Sequence, residues 1–261
     1  MGLYISGTSI GGMSGRIIMG SMSDLFSWQV GVIILGVVSL AICFYFVWAL
    51  PPSKHFVARP LQFKPLVKSL FHHLRDSTLV CLFAIGFLLM GSFVTMYNYI
   101  GFKFLEEPYA LSATIVGWIF LVYLVGTFSS AWFGSLSSKY GKQPVLYLGI
   151  IIFLAGLLLT IPGPLFMQII GLIIFTFGFF AAHSVASGWV SARAKHDKAQ
   201  ASSIYLFAYY LGSSVAGTSG GYFWMKYGWS GIVGFLGCGI SLCLCCAMYI
   251  HYANRKQQAT S

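Results

Sequence analysis

The sequence predicts an all-α polytopic membrane protein, and three observations carry that prediction. Of 261 residues only 8% are charged, while 58% are hydrophobic. A soluble domain holds about 25% charged residues, so this chain lacks the polar surface that water requires. Its uncharged intervals are also long: residues 25–53, 77–102, 108–138, 199–225 and 227–254 each have room for a bilayer-spanning helix of about 20 residues. Finally, the 15 Lys+Arg and 5 Asp+Glu gather between those intervals, as expected when a mid-bilayer charge costs roughly 2.5–3.5 kcal/mol. A membrane barrel would instead show short alternating segments, and none occurs. The composition excludes a disordered chain, a secreted disulfide scaffold and a cytosolic enzyme.

Taken in order, the first span covers about 2–22 and holds a single charge, Arg16. The second follows near 30–50, the third near 79–101 and the fourth near 113–134. Residues 143–192 are uncharged but are cut by Pro162-Gly163-Pro164, a turn signal because proline cannot continue a helix. Two spans, near 144–162 and 164–189, fit there, and the last two fall near 203–224 and 230–251. Eight transmembrane helices are expected. Residues 51–76 form the long linker. There Phe63, Leu66, Val67, Leu70, Phe71 and Leu74 repeat at helical spacing, with Lys64, Lys68, His72, His73 and Arg75 largely opposite. That pattern predicts an amphipathic helix lying in the membrane interface.

The loop charges predict orientation. Lys54, Arg59, Lys64, Lys68, Arg75, Lys139, Lys142, Arg193, Lys195, Lys198, Arg255 and Lys256 all fall on one side, against Lys103 and Lys226 on the other. The positive-inside rule makes the first side cytoplasmic, with both termini there and the chain multi-pass in the cell inner (plasma) membrane. The net charge of +10 is thus a topology signal, with the lipid bilayer as partner and no nucleic acid. Cys43, Cys81, Cys238, Cys243, Cys245 and Cys246 lie inside spans without metal-ligand spacing; no metal and no cofactor are expected.

An internal repeat adds to this. Shifted by 201 positions, the first 40 or so residues fall on the segment from about 202, with Tyr4 on Tyr205, Gly11 on Gly212, Gly20 on Gly221 and Trp28 on Trp229. Repeated helical units are a mark of secondary transporters.

Gly134-Ser-Leu-Ser-Ser-Lys-Tyr-Gly141-Lys142 resembles the cytoplasmic loop motif of the major facilitator superfamily, with Ser138 where the motif has Asp. Gly7-Thr-Ser-Ile-Gly11-Gly12-Met-Ser-Gly15-Arg16 resembles the glycine-rich fifth-helix motif of its antiporter branch, without the usual proline. Gly178-Phe-Phe-Ala-Ala-His183-Ser-Val-Ala-Ser-Gly188-Trp189 and Tyr209-Tyr-Leu-Gly-Ser-Ser214 resemble the drug- and sugar-efflux, YnfM-like branch. The resemblance implies a partial major-facilitator fold in which these spans correspond to family helices five to twelve, the first four being absent. Residues 1–50 would then be a two-span remnant of the N-terminal half, 51–76 the cytoplasmic linker, 77–254 the six-helix C-terminal half and 255–261 a cytoplasmic tail.

Several residues are candidates for transport. Arg16 is the charge deep in a span; it either faces a cavity and attracts an anionic group, or pairs with carbonyls and snorkels outward. His183 either carries a proton near neutral pH or makes one structural hydrogen bond. Asn98 bonds a solute or clamps a neighbouring helix. Tyr123, Tyr205, Tyr209 and Tyr210 offer aromatic walls and hydroxyls, unless they belong to an interfacial belt. Gly7, Gly11, Gly15, Gly212 and Gly220 make small-xxx-small packing surfaces. In the loop motif, Gly134 and Gly141 are expected to permit a tight turn, and Lys142 to cap helix ends.

The expected function is a transmembrane transporter moving a small organic solute outward by alternating access, with protons as a coupling candidate. A non-transporting or regulatory membrane fragment stays open. A membrane-embedded enzyme is disfavoured, because the sequence has no His-rich cluster, paired intramembrane carboxylates or Ser-Lys nucleophile spacing.

Overall fold

The computed structural model describes residues 2–51, 63–161, 163–194 and 196–259, with side chains described at 10–51, 68–161, 163–194 and 196–253. Expectations placed on Lys54, Arg59, Pro162 and Lys195, and on the side chains of Tyr4, Lys64, Arg255 and Lys256, lie outside the described residues.

Nine α-helices make up the described chain: α1 (Gly2–Leu25), α2 (Trp28–Ala49), α3 (Phe63–Arg75), α4 (Ser77–Leu105), α5 (Ala113–Ile119), α6 (Tyr123–Tyr140), α7 (Lys142–Leu159), α8 (Leu165–Arg193) and α9 (Lys198–Ala259). A 3₁₀ turn, Phe120–Val122, joins α5 to α6. Six helices are long and apolar enough to cross a membrane: α2, α4, the α5–α6 run, α7, α8 and α9. The 24-residue α1, interrupted by Arg16 and many glycines and serines, falls outside that group. Nominally one 62-residue helix, α9 breaks at Gly228 (φ 57°, ψ −144°), a conformation that a side chain would oppose.

Local chemistry sets the helix ends. Ser27, Asp76 and Ser112 start α2, α4 and α5 by accepting backbone N–H groups on their side chains, which satisfies donors that a helix leaves open. The α6–α7 turn is one residue, Gly141 at φ 89°. Gly134, expected to share that turn, lies inside α6 instead. Nothing between them breaks a helix, and the hydroxyls of Ser137 and Ser138 return to the Gly134 carbonyl at 2.8 and 3.3 Å.

α4 is the hub. It packs along α9 and against α8, α7 packs on α8 and α9, and α6 packs on α8. Leu82, Ile85, Leu89 and Met96 of α4, Phe153 of α7 and Phe175 of α8 are fully buried. Lipid supplies no hydrophobic drive between helices, so close backbone approach must do the work. At Gly212 of α9 an added Cβ would land on the Phe87 carbonyl of α4. α1 packs on α5, α6 and α2, whereas α2 turns a broad apolar face outward, with Trp48 at 83% exposure.

Polar contacts tie both ends of the bundle. At one end, Arg193 Nε donates to Asp76 Oδ2 at 2.8 Å. At the other, the Thr160 carbonyl accepts Trp229 Nε1 at 2.6 Å and Lys103 Nζ at 3.2 Å, and Lys103 also donates to Gln168 Oε1 at 2.7 Å. Asp24 Oδ2 accepts the Thr114 N–H at 2.7 Å. Hydrogen bonds from Thr114, with smaller help from Ser112 and Ala113, hold its carboxyl below the usual range.

Two outcomes are expected in thermal unfolding of the detergent-solubilised chain. Gly212→Ala should destabilise by about 1–3 kcal/mol as an overpacked contact, whereas Gly36→Ala, with nothing within 4 Å of its added Cβ, should change little. Asp76→Ala should cost about 1 kcal/mol for the lost helix cap and more than Arg193→Gln, which removes only a half-exposed ion pair.

Candidate functional site

Aromatic side chains recur at four-residue spacing on three helices, which places them on one face of each. They are Phe93 and Tyr97 on α4, Phe175, Phe179 and His183 on α8, and Tyr205 and Tyr209 on α9. Phe120 and Tyr123 join them from the α5–α6 junction. Phe93 lies at the centre, 3.9 Å from Phe179, 4.8 Å from Tyr97 and 5.4 Å from Tyr123 between ring centroids. Tyr97 in turn meets Phe120 at 5.0 Å and Tyr123 edge-on at 4.9 Å. His183 extends the surface by stacking on Phe179 at 5.9 Å and lying 4.6 Å from Tyr209.

Hydrogen bonds orient the polar groups of this surface. The Thr176 hydroxyl donates to the Leu172 carbonyl at 2.8 Å, so its oxygen is left to accept the Tyr97 hydroxyl at 2.6 Å. His183 Nδ1 pairs with the Tyr205 hydroxyl at 2.9 Å. The Tyr205 ring fits over Gly86 of α4, where a Cβ would meet it at 2.6 Å. Arg16 closes the far end, its guanidinium carbon 5.1 Å from the Phe120 centroid, a cation–π distance. Gly12, one turn earlier, faces Tyr123.

Arg16, Tyr123, His183, Tyr205 and Tyr209 therefore lie along one continuous aromatic cluster. Asn98 does not: it sits on another face of α4, with Nδ2 beside Gly217 of α9. Tyr210 is exposed. Lys142 is the first residue of α7, directly after the Gly141 turn. Gly220 packs on Tyr99 and Thr95 and Gly212 on Phe87, but an added Cβ at Gly11 or Gly15 would meet open space; the packing of Gly7 lies outside the described residues. Sequence reasoning passed over Phe93 and Phe120 and treated Tyr97 as a flank. The four-residue aromatic spacing on α4, α8 and α9 was the signal for the first of these. Phe120 had none, because its neighbours come from other helices.

Phe93, Tyr97, Phe175, Phe179 and Tyr205 are buried, and the accessible groups along the cluster are Tyr123, His183 and Tyr209 in part, and Arg16. Among the described residues no group of three His, Cys, Asp or Glu is placed to hold a metal ion.

The described chain is a polytopic helical bundle of the kind that crosses a membrane. The Major Facilitator Superfamily model matches residues 1–216 and 100–261, and the chain belongs to that family, one of transporters and not of enzymes. It is 50% identical over 236 residues to the uncharacterized MFS-type transporter YybF of Bacillus subtilis, covering 90% of this chain and 58% of that protein. It is 47% identical over 251 residues to the inner membrane transport protein YnfM of Escherichia coli, covering 96% and 60%. The chain thus spans about three fifths of the length of these relatives. Its fold matches the crystal structure of a bacterial homolog to the human lysosomal transporter Spinster, inward-facing and unoccupied. There the TM-score is 0.66 at 14% identity, with 97% of this chain and 70% of that one covered.

Because Phe93 meets five rings, one on its own helix and the others on α6 and α8, Phe93→Ala should destabilise by about 3–5 kcal/mol. Asn98→Ala, outside the cluster, should shift thermal unfolding much less.

Proposed function

We propose that this chain forms the solute-handling wall of a carrier that exports a small organic solute by alternating access. The observation that carries this reading is the aromatic cluster from Arg16 on α1 to His183 and Tyr205 on α8 and α9, along which Arg16 is exposed and Tyr123, His183 and Tyr209 are partly exposed. It suits a flat aromatic solute bearing an anionic group, stacked on the rings with its charge toward Arg16. His183 and Tyr205, sharing a hydrogen bond, are the groups through which proton coupling would act.

In this reading the chain crosses the inner membrane eight times, α1 included and α9 counted twice across Gly228, with both termini cytoplasmic. The excess of basic residues at the end of the bundle bearing α3 supports that orientation. Residues 1–50 belong to one half of the carrier and 77–254 to the other, joined by 51–76, with the tail at 255–261. The contact of α1 with α5 and α6 is where the halves rock. Gly212 and Gly220 hold α9 on α4, while Gly141 sets the α6–α7 turn beside Lys142.

Everted membrane vesicles from cells expressing the gene should accumulate a fluorescent aromatic acid. Arg16→Ala should reduce uptake by about tenfold or more, the worth of a charged hydrogen bond. Arg16→Lys should keep part of it, because the charge stays and the planar fork goes. His183→Ala should alter the pH dependence of uptake. Full uptake by both Arg16→Ala and Tyr209→Ala would sink the proposal.

A further inference from the structure

The transport surface makes no use of a cavity of about 650 Å³ at the end of the bundle where α3, the start of α4 and the end of α8 meet. His72, His73, Arg75, Arg193 and His196 line it, and Asp76 is the acid among them. The Asp76 carboxylate is already engaged. Its Oδ1 accepts the Thr78 and Leu79 N–H groups at 2.9 and 3.3 Å, and its Oδ2 takes Arg193 Nε at 2.8 Å. Arg193 uses only Nε in that pair, and no hydrogen bond engages Arg75, His72 or His196 among the described residues. His73 is 2% exposed, and its Nε2 is buried without a partner, a costly state for a polar atom. Five nitrogen-bearing side chains thus surround a space whose one carboxylate is committed elsewhere.

The same short helix also carries apolar groups to the surface. Phe71 is 60% exposed and Leu74 45% exposed on α3, directly preceding His72 and Arg75 in the chain. A helix with cationic and exposed apolar residues side by side suits the headgroup–acyl boundary, and clusters of basic residues there recognise anionic headgroups. The volume falls in the range of ordinary ligand sites.

We propose that this cavity binds the phosphate group of an anionic phospholipid, with Phe71 and Leu74 of α3 against its acyl chains. Arg75 and the free edge of Arg193 supply the charge, and His72 and His196 donate hydrogen bonds at the rim. The proposal does not depend on which solute is carried. A bound lipid here would hold α3 to the start of α4 and the end of α8.

Native mass spectrometry of the full chain, purified in detergent and titrated with dioleoylphosphatidylglycerol or dioleoylphosphatidylcholine, tests it. The parent protein should retain phosphatidylglycerol in preference to phosphatidylcholine. The variant H72Q/R75Q/H196Q, altered only at exposed side chains, should keep its melting temperature and bind phosphatidylglycerol about fivefold or more weakly. Lys139→Gln, which removes a cation at the α6–α7 turn, should bind like the parent. Equal binding by parent and triple variant would overturn the proposal. So would an equal loss in Lys139→Gln, which would mean diffuse charge attraction. Full displacement of lipid by millimolar inorganic phosphate would assign the cavity to the free anion and overturn the lipid assignment.

Discussion

The close approach of α4 and α9 is the constraint on which the rest depends. Gly212 meets the Phe87 backbone, and Gly91 lies against Gly212 and Ala216, so the two helices touch through main chain. In lipid this dispersion contact replaces the hydrophobic drive that water would supply. It also fixes the distance at which Tyr205 reaches across Gly86 to His183. Widening that interface would separate the imidazole from its partner and open the aromatic surface at its α9 end.

Polarity inside the bundle is handled by local closure. The Thr176 hydroxyl donates to the Leu172 carbonyl and accepts the hydroxyl of Tyr97, while Thr95 returns its hydroxyl to the Gly91 carbonyl at 2.7 Å. Ser129 reaches from α6 to the Phe177 carbonyl at 2.6 Å. Each bond satisfies a group that water cannot reach, and those between helices also lock their rotation. Arg16 stands apart, bordered by an aromatic ring and by no carboxylate among the described residues.

The internal repeat shows how far similar sequence can diverge in setting. Gly212 is pressed on α4, yet its counterpart Gly11 faces open space. Trp229 is buried and donates to Thr160, yet Trp28 is 61% exposed. The repeated residues are alike, but α9 has α4 beside it, and α1 meets α5 through Gly20 and Gly117 instead.

The helical, membrane-embedded character of the chain was legible in its charges, because desolvating a charge costs enough to dictate where a span cannot be. The breaks were legible to the same degree. Gly141 and the break between α7 and α8 act through their own backbone, and such effects need no partner. The composition of the candidate site was legible only in part: Tyr123, His183, Tyr205 and Tyr209 stood out by residue type. Which of them meet was not, and Asn98, their equal in polarity, lies on a different face. Phe93 showed only its four-residue spacing from Tyr97, and Phe120 carried no sign of its role, since that role arises from rings on α4, α8 and the α5–α6 junction coming within 3.9–5.5 Å of one another. Helical periodicity is a property of neighbours along the chain. The aromatic surface is set by the angles at which distant helices cross, and those follow from backbone contacts that only the folded bundle contains.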